Sequence, residues 1–141
     1  GTALALATTG SHTVAYWSVD AAGNAEAQHT LAVNIAPADV SAGVKMTQQG
    51  ATLNRATGKY VGGVTVTNTG ATALAGPLWL TLNGLTAGVT LDGAAGTNGG
   101  APYVVVSGPL NPGATLTVPL TFTNPGRTII GYTPALFQPH F

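Results

Sequence analysis

Charge is what this sequence has least of. Four Lys+Arg and four Asp+Glu occur in 141 residues, a formal net charge of zero and a charged fraction of 6%, against about 25% in ordinary globular domains. So few cations leave no basic footprint for a nucleic-acid backbone or an anionic membrane surface. Cysteine is absent, which excludes a thiol nucleophile and a disulfide framework but does not decide the redox compartment. Long apolar runs are missing as well: Gly, Thr, Asn or Pro interrupts each one well short of the roughly 20 residues that a spanning helix needs. The opening Gly1-Thr2-Ala3-Leu4-Ala5-Leu6-Ala7 has no positive flank and is too short for a signal core, so it reads as a cut inside a longer protein. No segment carries a capped 3.6-residue periodicity, and helix content is expected to be near zero.

What is present is β-branched alternation. Gly63-Val64-Thr65-Val66-Thr67-Asn68 and Thr115-Leu116-Thr117-Val118-Pro119-Leu120-Thr121-Phe122 place apolar and polar side chains on opposite faces, as a half-buried strand does. Solubility then rests on Thr, Asn, Ser and Gln, a habit that suits an extracellular or cell-surface protein. At this length the chain can bury a sufficient core without metal or cross-links. No cofactor is required.

The first segment, residues 1–36, reads as two or three strands over 2–7, 12–20 and 27–35, separated by turns at Gly10-Ser11 and Ala22-Gly23-Asn24. Two or three strands cannot supply two packed sheets. Either the rest of such a module lies elsewhere, or these strands join sheets formed by residues beyond 36. Pro37 removes a backbone donor and biases Ala36 away from helix, which marks a boundary there.

Residues 37–141 read as one further module, with strands over 43–48, 52–55, 60–68, 77–83, 89–92, 103–107, 114–123 and 128–137. The turn signals between them are specific: Ala56-Thr57-Gly58-Lys59, Asn68-Thr69-Gly70, Asn83-Gly84, Asn111-Pro112-Gly113 and Asn124-Pro125-Gly126. Strands at this spacing are the signature of a sandwich. The Gly/Ala/Asn-rich stretch 92–101 is expected to be a mobile surface loop.

The phrase His12-Thr13-Val14-Ala15-Tyr16-Trp17-Ser18-Val19-Asp20-Ala21-Ala22-Gly23-Asn24 resembles the last strands of bacterial immunoglobulin-like modules. The resemblance covers about twenty-five residues and implies that Tyr16 and Ser18 face a core, with the Asp20-to-Asn24 turn leading into a last strand. Val64-Thr65-Val66-Thr67-Asn68-Thr69-Gly70, Ala75-Gly76-Pro77-Leu78-Trp79-Leu80 and Leu110-Asn111-Pro112-Gly113 resemble adhesion-related and fibronectin-III-like bacterial modules. Together they imply an all-β, antiparallel Ig-like or fibronectin-III-like sandwich with two or three extra N-terminal strands. They also imply a non-catalytic accessory role in a larger exported protein, whose other domains would be its partners.

Candidate chemistry is sparse. The carboxylates Asp20, Glu26, Asp39 and Asp92 fall in or beside turns, where Asp is favoured for reasons unrelated to acid–base work. His12 and His29 lie on neighbouring expected strands and would approach each other only in a suitable register; neither belongs to a zinc-ligand motif, and the third histidine is His140. Asp92 and Asn98 with loop carbonyls give a weak oxygen set for calcium. No serine sits in a Gly-x-Ser-x-Gly elbow. No catalytic residue and no metal site is assigned.

Aromatic residues are the remaining handle, because sugar rings stack on exposed Trp and Tyr faces. In Pro77-Leu78-Trp79-Leu80-Thr81-Leu82, Trp79 alternates away from the leucines and shares a face with Thr81. Tyr16 and Trp17 must likewise point to opposite faces. Trp79, Trp17 and Tyr103 are therefore the candidate ligand-binding residues, with polysaccharide as the candidate ligand, and packing at a domain junction is the competing use of Trp79. The sequence thus points to a spacer or adhesion module, with carbohydrate binding and the non-catalytic tail of an extracellular hydrolase as alternatives.

Overall fold

A computed structural model describes residues 3–140. It is all-β with antiparallel pairing throughout, and it contains no α-helix among the described residues, only a 3-10 turn at Ser41–Gly43. The chain divides into two compact units, Gly1–Pro37 with Pro139–Phe141, and Ala38–Gln138.

The first unit is a two-stranded antiparallel sheet of β1 (Gly10–Tyr16) and β2 (His29–Ile35), in register from Gly10↔Ile35 to Tyr16↔His29. Its connection is built by Asp20. The carboxylate accepts the backbone N–H groups of Ala22 and Asn24 and the Asn24 side-chain amide, each at 2.9 Å, while Val19 bridges Ala25. Thr9 ties the chain's end to this unit: its N–H donates to the His140 carbonyl at 2.8 Å, and its hydroxyl accepts the His140 N–H at 2.6 Å. The strand expected over 2–7 is absent at residues 3–7, which pair with nothing in a ladder; Thr2 lies outside the described residues. Tyr16 and Ser18 do not face a core. Tyr16 is 53% exposed and Ser18 is exposed, because this unit holds one two-stranded sheet and no second layer to cover it.

The second unit holds β3 (Ala38–Asp39), β4 (Val44–Asn54), β5 (Lys59–Asn68), β6 (Leu78–Asn83), β7 (Thr90–Leu91), β8 (Gly96–Asn98), β9 (Ala101–Val106), β10 (Thr115–Thr123) and β11 (Thr133–Gln138). They form a four-stranded sheet, β4-β5-β10-β7, and a five-stranded sheet, β3-β11-β6-β9-β8. Val64, Val66, Val118, Leu120 and Phe122 from the first share one core with Leu78, Leu80, Leu82, Val106 and Leu136 from the second, all buried. The alternate residues of the four-stranded sheet point outward as a threonine ladder, with Thr67–Thr115 and Thr65–Thr117 hydroxyls at 2.8 and 3.3 Å. Each such cross-strand pair adds a few tenths of a kcal/mol to about 1 kcal/mol and needs no charge to stay solvated.

Buried asparagines lock the loops. Asn68, 1% exposed, donates to the carbonyls of Thr72 and Leu110 at 2.8 Å and accepts the Gly70 N–H at 2.9 Å. Asn124 does the same for Thr128, donating to its carbonyl at 2.7 Å and accepting its N–H and hydroxyl at 3.2 Å. These are the Asn-Thr-Gly and Asn-Pro-Gly signals seen in the sequence, acting through the side chain as well as through the backbone turn.

Three elements differ from expectation. The stretch 92–101 is not a structureless loop: Gly99 and Gly100 take φ of 58° and 85°, the two-residue hairpin geometry, and pair Asn98 with Ala101 so that β8 becomes an edge strand. The strands expected at 43–48 and 52–55 are one strand, β4, carried through a bulge that sets Gly50 and Ala51 against Gly62 between the pairs Gln49↔Gly63 and Thr52↔Val61. The strand expected from 128 starts at Thr133, because the backbone before it is satisfied by side chains: the Thr86 hydroxyl donates to the Ile129 carbonyl at 3.0 Å and Gln48 to the Tyr132 carbonyl at 3.0 Å.

Candidate functional site

The outer face of the five-stranded sheet brings three aromatic side chains together. Because β6 alternates strictly, burying Leu78, Leu80 and Leu82 at 0% exposure turns Trp79 and Thr81 to the opposite face. Register then sets their neighbours. Trp79 pairs with Phe137 of β11 on one side and Val105 of β9 on the other, while Thr81 pairs with Ala135 and Tyr103.

Trp79 and Tyr103, diagonal neighbours across β6 and β9, are stacked with ring centroids 4.4 Å apart and planes 17° from parallel. Tyr103 in turn stands opposite Gly96 of β8, and a Cβ at that glycine would lie 3.1 Å from the phenol ring. The absence of a side chain at Gly96 is what lets the ring settle on the edge strand. Trp79, Tyr103 and Phe137 are each half-buried and Val105 is 51% exposed. Thr81 is 1% exposed, and its hydroxyl has no hydrogen-bond partner among the described residues. Neutral polar groups border the patch: Asn83, Asn98 and Thr133.

Two of the three sequence candidates, Trp79 and Tyr103, therefore come together. Trp17 belongs to the first unit, where it is 56% exposed just beyond β1. Phe137 is the member that sequence reasoning passed over. Its alternation with Leu136 was visible, but its place beside Trp79 depends on pairing between strands more than fifty residues apart.

The carboxylates are occupied with architecture. Hydrogen bonds from Asn24, side chain first, hold Asp20 below the usual carboxylate range, and Ser41 does the same for Asp39. Asp92 is lowered chiefly by its hydrogen bond with Lys59, at 2.9 Å, and then by the Thr123 hydroxyl at 2.7 Å. Glu26 accepts the Ser18 N–H at 2.7 Å. Asp92 thus binds a cation of its own chain, and Asn98 lies in β8, so the loose oxygen set imagined for calcium does not assemble. His12 and His29 are also kept apart: His12 pairs with Val33 and bonds the Thr8 carbonyl at 2.7 Å, whereas His29 pairs with Tyr16 and stacks on its ring at 5.5 Å. Four residues of strand, about 13 Å, separate their levels in the ladder. Among the described residues no group of three or more His, Cys, Asp or Glu is placed to hold a metal ion.

No protein family, curated protein or solved structure matches this chain. Its functional reading rests on its own residues.

Proposed function

We propose that this chain is a non-catalytic accessory module of a secreted or cell-surface bacterial protein, serving as a spacer or adhesion element alongside other domains. The observation that carries this reading is the use made of its acids. Asp20, Asp39 and Asp92 are held by hydrogen bonds or an ion pair that favour the charged form, which suits turn-building and ill suits a general acid, whose pKa must rise. The non-consecutive strand order, β4-β5-β10-β7 facing β3-β11-β6-β9-β8, supports an Ig-like or fibronectin-III-like relationship of the Greek-key kind.

Between spacer and adhesion element, the aromatic face favours adhesion. The stacked Trp79–Tyr103 pair beside Phe137, bordered by amide and hydroxyl side chains, has the composition that holds a neutral polysaccharide: ring faces for sugar C–H groups and neutral donors for hydroxyls. The stacked pair beside Phe137 makes a narrow platform rather than a broad coplanar row. Binding to immobilised polysaccharides by the full chain and by Trp79→Ala tests this. Loss of retention in the variant supports carbohydrate binding; retention of neither protein on any polysaccharide leaves the spacer role; and bond cleavage by the purified chain overturns the non-catalytic reading.

A further inference from the structure

The chain's two arginines meet at one end of the second unit. Two adjoining hollows of about 370 and 350 Å³ share Tyr60 and Arg127, and Arg55 lines the second of them. No carboxylate lines either hollow, and the one ion pair among the described residues joins Lys59 to Asp92, so neither guanidinium is neutralised by a described acid. In a protein with only four Lys+Arg, two exposed arginines lining one cleft with no acid beside them give it a local positive potential that suits an anion.

Both arginines are carried on stiff turns. The Asn54 side chain accepts the Ala56 N–H at 3.0 Å and the Asn54 carbonyl accepts the Gly58 N–H at 2.8 Å, shaping the turn that bears Arg55. The Asn124 side chain braces Thr128, and the Arg127 N–H donates to the Asn124 carbonyl at 3.2 Å. Arg127 itself has φ of 51°, the one non-glycine residue with positive φ among those described. Glycine would occupy that backbone without a steric penalty, and a bulky residue held there is an observation that points to use of its side chain. The β4 bulge at Gly50 and Ala51 keeps one wall of the cleft free of large side chains, and Ile129, 91% exposed, lies on its rim.

We propose that this cleft is a binding site for an acidic sugar, with the oxyanion of a uronate or sulfated residue between Arg55 and Arg127 and its ring against Tyr60. Guanidinium pairs recognise carboxylate and sulfate by paired, charge-assisted hydrogen bonds. A half-buried tyrosine and an exposed aliphatic rim supply apolar surface for the sugar's C–H groups. This site is separate from the aromatic face of the five-stranded sheet and does not depend on it.

The test is isothermal titration of the full chain, at low and at moderate salt, with polygalacturonate, dextran sulfate, neutral dextran and polyglutamate. The expected result is binding of at least one anionic polysaccharide, weakened by salt, with a preference between the first two that separates carboxylate from sulfate. Arg55→Gln and Arg127→Gln should each weaken it by about tenfold or more, the worth of a charge-assisted hydrogen bond. Arg127→Gly should lose the same affinity without any fall in thermal midpoint, which separates a binding arginine from a structural one. The proposal is overturned if neither anionic polysaccharide binds better than dextran, or if the arginine variants bind as the parent does. Equal affinity for polyglutamate would also overturn it, assigning the cleft to acidic peptides.

Discussion

Replacing Trp79 and Tyr103 by alanine, singly and together, should show that the outer-face stack is a coupled pair. A half-buried tryptophan removes something like 150 Å² from water, which at about 25 cal/mol per Å² is worth roughly 4 kcal/mol, and the Cβ that remains in alanine retains a little of that. Truncation also admits water to the Thr81 hydroxyl, now buried without a partner, and returns about 1 kcal/mol of desolvation penalty. The net loss for Trp79→Ala is therefore about 2 to 3 kcal/mol, and Tyr103→Ala should lose about 2 kcal/mol because its ring also covers Gly96. With rings 4.4 Å apart and 17° from parallel, the pair contributes about 1 kcal/mol beyond area, so the double variant should be less destabilised than the sum by that amount. Urea unfolding monitored by far-ultraviolet circular dichroism gives all four corners of the cycle. Each single variant should also lower the thermal midpoint by roughly 10 °C, at the 4–8 °C per kcal/mol of a domain of about 100 residues. A coupling below about 0.3 kcal/mol would refute the stack as an energetic unit.

Other parts of the second unit give three further expected outcomes. Asp92 is held below its usual pKa by Lys59 and Thr123, so its contribution is present above the unfolded carboxylate pKa and is lost as pH falls through the folded one. Lys59→Met should flatten the acid side of the stability curve below about pH 4, by no more than about 1 kcal/mol given the exposure of the pair. Asn68→Ala removes three hydrogen bonds from a side chain that is 1% exposed, leaving the Leu110 carbonyl with the Leu74 N–H as its partner, which should cost about 3 kcal/mol in urea unfolding at about 1 kcal/mol per bond. A Cβ at Gly76 would overlap the backbone of Gly108, where no flexible side chain can yield, so Gly76→Ala should lower the urea midpoint by the equivalent of about 2 kcal/mol or more.

The strands with two faces were legible from the sequence, and the features that depended on distant pairing were not. Leu78, Leu80 and Leu82 against Trp79 and Thr81 is a local period of two, and their opposite burial comes from strand geometry alone. Residues 96–98 carry no comparable pattern, since Gly96-Thr97-Asn98 has neither apolar alternation nor β-branched density. They are a strand because the Gly99-Gly100 turn delivers them to β9. The bulge in β4 was hidden for a similar reason: Gly50 and Ala51 look like a break between strands, and only the facing Gly62 allows the ladder to continue past them. Phe137 beside Trp79, and Arg127 in one cleft with Arg55, are products of the long-range strand order. The local signal at Arg127 was an Asn-Pro-Gly turn with an arginine after it, which foretold the turn but not what the side chain would meet. Residues 3–7 had the composition of a strand and found no partner ladder.

That the protein acts by holding a ligand on its five-stranded face is tested most directly by affinity electrophoresis of the full chain and of Trp79→Ala through gels containing neutral polysaccharides. Retarded migration of the parent chain in at least one gel, restored to free mobility by the substitution, is the expected result. Equal mobility of the two proteins in every gel would contradict it.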